Sequence, residues 1–303
     1  MKTFYSHGKL LLTAEYFVLD GAKALAIPTK KGQKLSISTT ESPGLHWKSI
    51  LADGTVWFET VFDIDALKTQ AYQNEDPILQ RLGDILMAAL KQQPNFLHTT
   101  EGIQAISQLE FARDWGLGSS STLLNNIATW AQINPYKLLS DTFGGSGYDI
   151  ACAKAKGPIT YLRAKTDPTV KTISFCPSFR HQIFFIHLNQ KQNSRDSIAQ
   201  YRAIEKKHID DLLKQVNVYT DQMIQAETLN EFESIIYNHE SFLADILQTS
   251  TVKNRLFSDY PGAIKSLGGW GGDFVMATGT FKDMTYFKER GYETILSYDD
   301  MVL

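Results

Sequence analysis

The chain has 303 residues, 43% of them hydrophobic and 21% charged, a length of about two domain units at roughly 150 residues each. It can bury enough surface to fold without disulfides or a structural metal. Thirty Lys and Arg against 33 Asp and Glu give a formal net charge of -3, which supplies no general field for DNA, RNA or an anionic membrane surface.

The first sixty residues are rich in β-branched and aromatic side chains punctuated by Gly and Pro. LSIST (35–39) reads as a strand, and GLHWKSI and TVWFET around Asp53-Gly54 read as a β-hairpin. From Pro77 to Leu90 the residues Ile78, Leu79, Leu82, Ile85, Leu86 and Ala89 recur at spacings of three and four, the period of an amphipathic helix. GIQAISQLEFA (102–112) alternates like a strand and is followed by the loop GLGSSST and the helix-compatible run 123–131. After GGSGYDIACA, the segments ITYL and TISF and the apolar HQIFFIHL (181–188) read as strands. Residues 194–226 and 229–248 carry long helical periodicity. The chain ends on the glycine loop LGGWGGDF (267–274), a strand at VMATG, a short helix and a last strand near 293–297. The change of pattern near 175–190 suggests two units, 1–180 and 181–303, with no repeat or low-complexity linker between them.

Cys152 and Cys176 are the only cysteines, which excludes a disulfide-rich scaffold and a multi-thiolate zinc site and suits a reducing cytoplasm. The longest apolar runs, such as Ile183 to Ile186, are a few residues long, against about 20 for a membrane span. Lys9 and Glu15 hem in Leu10 to Leu12, too short a stretch for a signal-peptide core. A soluble cytoplasmic protein, monomer or homodimer, with no nucleic-acid or membrane partner is expected.

Three glycine clusters carry the chemistry. Gly116, Leu117, Gly118, Ser119, Ser120 and Ser121 lie between an expected strand and an expected helix, where backbone N–H groups and a helix N-terminus can hold phosphate. The serines add hydroxyl ligands for phosphate or Mg²⁺; a tight turn with a Ser cap is the structural alternative. No third glycine completes a dinucleotide fingerprint, and Gly8-Lys9 is followed by Leu10, so a Walker A loop is absent. Gly144-Gly145-Ser146-Gly147-Tyr148-Asp149 ends on a carboxylate, either projected into a cleft or serving as a helix cap. Gly268-Gly269-Trp270-Gly271-Gly272-Asp273 precedes a strand and reads as a hairpin or bulge turn taken alone.

Taken together, HGKLLLTAEYFVL (7–19), GLGSSST (116–122), GSGYDIA and AIKSLGGWGGDFV (263–275) resemble, in order and over nearly the whole chain, the motifs of the GHMP small-molecule kinases. The resemblance implies an α+β fold of two domains, an N-terminal ATP-binding domain like ribosomal protein S5 and a ferredoxin-like C-terminal domain. It implies ATP and Mg²⁺ as cofactors and a small anionic metabolite, mevalonate or phosphomevalonate, as acceptor. By the same resemblance Asp149 would face the acceptor hydroxyl with Lys9 beside it, residues 116–121 would hold the triphosphate, and Ser120 would coordinate Mg²⁺. Glu15, Ser194, Arg195, Gly269 and Gly271 would contact the substrate. The second Mg²⁺ ligand expected of mevalonate kinases, a Glu, is replaced by Leu138, and Asp141 is the nearest acidic residue. Trp270 stands where the family has a small residue, and Arg113, Asp114 and Trp115 replace a Pro-containing stretch. Arg113, Arg195, Arg202 and Lys265 are candidate cations for a phosphorylated acceptor. A diphosphomevalonate decarboxylase-like enzyme and a catalytically silent metabolite-binding homologue are the alternatives.

Overall fold

The computed structural model describes residues 1–164, 167–190, 194–270 and 272–303, the side chains of 194–196 excepted. In chain order the elements are β1 (Lys2–Leu11), β2 (Ala24–Thr40), β3 (Leu45–Ile50), β4 (Val56–Phe62), α1 (Ile64–Lys68), α2 (Pro77–Gln92), β5 (Gly102–Leu109) and α3 (Ser119–Ala131). They continue with α4 (Pro135–Thr142), α5 (Tyr148–Lys154), β6 (Ile159–Leu162), β7 (Thr169–Thr172), β8 (Ile183–His187), α6 (Ser194–Ala203), α7 (Ile209–Gln225) and α8 (Leu229–Leu247). The last are α9 (Val252–Leu256), β9 (Ile264–Ser266), β10 (Phe274–Thr278), α10 (Thr285–Lys288), β11 (Ile295–Ser297) and α11 (Tyr298–Met301). The chain forms two compact units: unit 1 contains residues 1–8, 31–113 and 118–154, and unit 2 contains residues 9–30, 114–117 and 155–303.

Unit 1 is built on a mixed sheet. β3 and β4 form the expected antiparallel hairpin, with Leu45 opposite Phe62, and Gly54 takes φ 87° in its turn. β3 runs parallel to β5, and β5 runs antiparallel to the second half of β2, Gln33 to Thr40. Alternation sends Leu45 and Trp47 inward from β3. The helix expected over 77–90 is α2: Asp76 accepts hydrogen bonds from the Ile78 and Leu79 amides, Pro77 opens the first turn, and Leu82, Ile85, Leu86 and Ala89 are buried. Leu124 and Ile127 of α3 join Leu35, Trp47, Phe62 and Leu86 in one core.

In unit 2, residues Ala24 to Ala26 of β2 pair with β6, and β6 pairs with β7. A four-stranded antiparallel sheet follows the order β11-β8-β10-β9. Phe184, Ile186, Val275, Phe257 and Phe287 lie in its core. α8 packs on α7 and on β9.

Three local expectations need correction. TISF contributes only Thr172 to β7; the Phe175 carbonyl accepts the Tyr298 hydroxyl, and Pro177 has no amide to extend a ladder. The helix expected over 194–226 is broken after Ala203. There the Lys206 ammonium donates to the Tyr201 carbonyl at 3.2 Å, Ile204 N makes a short-range bond to the same oxygen, and His208 takes φ 55° before α7 begins. α3 starts at Ser119, four residues before the run that suggested it.

α8 carries the buried polar residues His239 and Glu240, and its start is set by a reciprocal cap: Thr228 Oγ1 accepts from Glu231 N, and Glu231 Oε2 accepts from Thr228 N. Thr228→Ala should lower stability by about 0.5–2 kcal/mol in urea denaturation. A midpoint equal to wild type would show that the cap does not set this helix.

Candidate active site

Glycine at position 118 takes φ 88° and ψ 42° at the N-cap of α3, where no side chain among the described residues caps the helix. The first helical residues are therefore Ser119, Ser120 and Ser121, whose amides belong to the donors that a helix start leaves without intrahelical acceptors. Ser120 is exposed, whereas Ser121 is buried and its hydroxyl donates to the Asp149 carboxylate. Asp149 lies within the first turn of α5, not at its cap. Unit 1 thus joins the serine loop and the Asp149 cluster directly. Asp141, on α4, receives Lys137 Nζ at 2.9 Å and Gln92 Nε2 at 3.0 Å on one carboxylate oxygen; its partners are surface side chains.

A cavity of about 250 Å³ in unit 1 reaches Ser119 and Ser120. Its walls include Trp47, Trp57, Phe58, Phe143, Arg81 and Arg113. The Arg113 guanidinium stands 3.7 Å from the Trp57 ring centre, and that of Arg81 stands 5.2 Å from the Phe143 ring centre. Flat aromatic walls and planar cations accommodate a flat, π-rich ligand. Of these residues the sequence singles out only Arg113, as a candidate cation; the others come from β3, β4, α2 and residue 143, with no contiguous motif to mark them.

Unit 2 holds the remaining motif residues. The half-buried Lys9 donates through Nζ to the Gly116 carbonyl at 2.8 Å, and its backbone amide donates to Leu117 O at 3.0 Å. Gly116 takes φ 64°, and a Cβ there would fall 2.2 Å from Cγ of Asp273; only glycine lets that carboxyl approach. In the last glycine loop Gly268, Trp270 and Asp273 all have positive φ. The Gly269 carbonyl accepts the Tyr16 hydroxyl at 2.8 Å. The Trp270 indole is buried, and its N–H has no hydrogen-bond partner among the described residues. Gly271 lies outside the described residues, as do the side chains of Ser194 and Arg195; α6 begins at Ser194. Arg202, also on α6, is exposed.

Glu15 is completely buried. Its Oε1 accepts from Lys265 Nζ, which also donates to Glu240 Oε1 at 3.3 Å and Ser266 O at 3.1 Å. Glu240 Oε2 accepts from Ser266 Oγ at 2.8 Å. His239 Nε2 lies 3.5 Å from Glu15 Oε2, and neither atom has a hydrogen-bond partner among the described residues. Burial pushes the Glu15 carboxyl up to about 7, against the pull of Lys265 and with the help of the Glu240 charge. It raises Glu240 as well and holds His239 well below its ordinary value, in the neutral form. Lys265 is thus committed to an internal cluster.

The chain has the fold of the GHMP kinases. It is similar over 97% of its length to 96% of the mevalonate kinase of Methanococcus jannaschii (16% identity, TM-score 0.70). It is also similar over 98% of its length to the whole of a Streptococcus pneumoniae phosphomevalonate kinase solved with phosphomevalonate and AMPPNP (14%, 0.70). Lactococcus lactis galactokinase, solved with galactose, matches the full chain over 93% of its own (13%, 0.69). No family model and no curated protein sequence matches the chain.

The Glu15 carboxyl has a pH consequence. With its native value raised from 4.5 to about 7, the native state binds more protons than the unfolded chain between those values. The stabilisation is complete below the unfolded value and is lost as pH rises through about 7. From pH 5 to 8 the thermal midpoint of the wild type should fall by about 2 °C or more beyond any fall in Glu15→Gln. Parallel profiles would refute the assignment.

Proposed function

We propose that the chain is an ATP- and Mg²⁺-dependent kinase that phosphorylates a small anionic acceptor, mevalonate or its 5-phosphate. The observation that carries this is the uncapped start of α3 adjoining an aromatic cavity: Gly118 replaces a capping side chain, and Ser119 and Ser120 line the cavity. Free helix-start amides suit phosphate oxygens, and walls including Trp47, Trp57 and Phe58 suit a nucleobase. Residues 116–121 would hold the triphosphate. Ser120, an exposed hydroxyl in the first turn, offers the hard oxygen that Mg²⁺ prefers, and bound Mg²⁺ would neutralise charge on the phosphates.

Asp149 would take the proton of the acceptor hydroxyl, with the Ser121 hydroxyl orienting its carboxylate. The acceptor oxygen bonds to the γ-phosphorus, the bond to the β,γ-bridging oxygen breaks, and ADP leaves. Lys9, anchored to the Gly116 carbonyl, would stabilise negative charge on the acceptor oxygen. Gly269 and Gly271 of the last loop, with Ser194 and Arg195, would contact the acceptor. The motif order and the GHMP kinase fold support this chemistry; the choice of acceptor rests on resemblance, GSGYDIA and Asp273 being similar to phosphomevalonate kinases and the GKLLLTAEY opening to mevalonate kinases.

ADP release measured with mevalonate, mevalonate 5-phosphate, galactose and homoserine should appear with one of the first two only, without CO₂. Activity confined to galactose would overturn the proposal, and CO₂ release would indicate a decarboxylase. Asp149→Asn should lower kcat by about 10²- to 10⁴-fold while the Kd for ATP stays near wild type. Trp57→Ala should weaken ATP binding by about tenfold or more in calorimetry; an unchanged Kd would remove the cavity from the nucleotide site.

A further inference from the structure

The turn that presents Glu15 is held in a backbone shape its sequence does not favour. Ala14 and Tyr16, neither of them glycine, take φ of 64° and 62° on either side of Glu15, a conformation that persists only when its surroundings over-determine it. The surroundings are visible. Leu12 N donates to Leu25 O at 2.8 Å, and Phe17 N donates to Glu15 O at 2.7 Å. Thr13 Oγ1 accepts from Leu25 N; Thr220 Oγ1, on α7, donates to Lys23 O and therefore accepts the Thr13 hydroxyl at 2.8 Å. With the backbone so fixed, consecutive side chains go to two different tasks. Glu15 enters the interior to meet Lys265, and Tyr16 stacks on Tyr201 with ring centres 5.2 Å apart and bonds the Gly269 carbonyl. Lys265 itself stands one residue before the end of β9, at the entry to the same glycine loop.

We propose that Glu15 and Lys265 are positioning residues, whose buried pair clamps the turn 13–17 to β9 so that Tyr16 holds the last glycine loop in the shape that receives the anionic acceptor. This rests on the kinase reading above for the role of the loop. Glu15 therefore contributes through Tyr16 and not by touching substrate.

The clamp has two charge states. Glu15, His239 and Glu240 bring ligand atoms within 4.8 Å of one another, and the Lys265 ammonium bonds both carboxylates. The groups facing Glu15 are Lys265 from β9 and His239 and Glu240 from α8. Tyr219 of α7 stands behind, its ring 5.6 Å from that of His239, and the neighbouring Tyr16 completes the set. With both carboxylates ionised and His239 neutral, the cluster carries one excess negative charge, and among the described residues Glu15 Oε2 and His239 Nε2 lack hydrogen-bond partners. A proton on Glu15 Oε2 removes the excess charge and can be donated to His239 Nε2, satisfying both atoms. The clamp is accordingly tighter in the protonated state, and the acceptor KM should rise as pH increases through neutrality.

The test combines steady-state kinetics with hydrogen exchange. Wild type, Glu15→Gln and Tyr16→Phe are assayed from pH 5.5 to 8.5 for acceptor KM, kcat and ATP KM. Exchange of peptides covering 264–278 is followed by mass spectrometry at fixed pH. Glu15→Gln keeps an acceptor for Lys265 and supplies a permanent donor toward His239, so it should fold, lose the pH dependence of acceptor KM and leave ATP KM within twofold. Tyr16→Phe should raise acceptor KM at least fivefold with little change in kcat and speed exchange in the loop peptides. An acceptor-KM profile for Glu15→Gln that coincides with wild type, or loop exchange unchanged in Tyr16→Phe, would overturn the clamp. Absence of turnover by the wild type with every acceptor would instead defeat the kinase reading. The exchange experiment would still decide whether the turn holds the loop.

Discussion

An ammonium group removed entirely from water must find its neutralising charge inside the protein, and Lys265 does so with Glu15 and Glu240. Desolvating such groups costs several kcal/mol per ion, and apolar replacements of a buried pair are often neutral or stabilising. Net stability is therefore a poor explanation for its presence. What the charges impose is direction: Glu15 must point inward, α8 must bring residues 239 and 240 to β9, and the backbone between Thr13 and Phe17 must bend to allow it. Lys9 lies earlier on the same segment and holds Gly116, so one stretch of unit 2 carries both the constraint and a proposed catalytic group.

Unit 1 follows a different logic, in which an interaction is withheld. Ser is among the best helix caps, and three of them stand at the beginning of α3, yet the capping position belongs to Gly118. Had the helix begun one residue after a serine, a hydroxyl could have satisfied one of its first amides. The left-handed glycine shifts the serines inside the first turn instead. That frees Ser121 to orient Asp149 and leaves the helix start suited to an anion.

Patterns local in sequence were legible. The spacing around α2 and the Asp53-Gly54 turn specify their elements because the stabilising contacts lie within a few residues. The break between α6 and α7 was not legible, because it depends on Lys206 reaching back to Tyr201 while the apolar period continues through it. The start of α3 was hidden by the ambiguity of serine, which fits a cap or a first turn equally well. At the site, the glycine clusters and Asp149 could be found because each motif is contiguous. The aromatic cavity could not, because Trp47, Trp57, Arg81, Arg113 and Phe143 meet only through the sheet and helix packing of unit 1. Glu15 was recognisable as a motif residue, but its complete burial depends on Lys265, 250 residues away.

Shape and residue identity bear on different conclusions. At 13–16% identity to the three kinases compared, similarity over nearly the full chain establishes the fold, and folds host many chemistries. The chemistry has to come from the side chains that the fold displays. Here the same backbone feature serves both, since the glycine that bends the chain before α3 also withholds the cap and admits Ser121 to Asp149. A substitution at Gly118 would alter the shape of the helix start and its chemistry together, whereas one at Asp149 would alter the chemistry alone. The same holds for Lys265. It already bonds two buried carboxylates, so on the function proposed above an anionic acceptor would need cations other than the lysine at the entry to the last glycine loop.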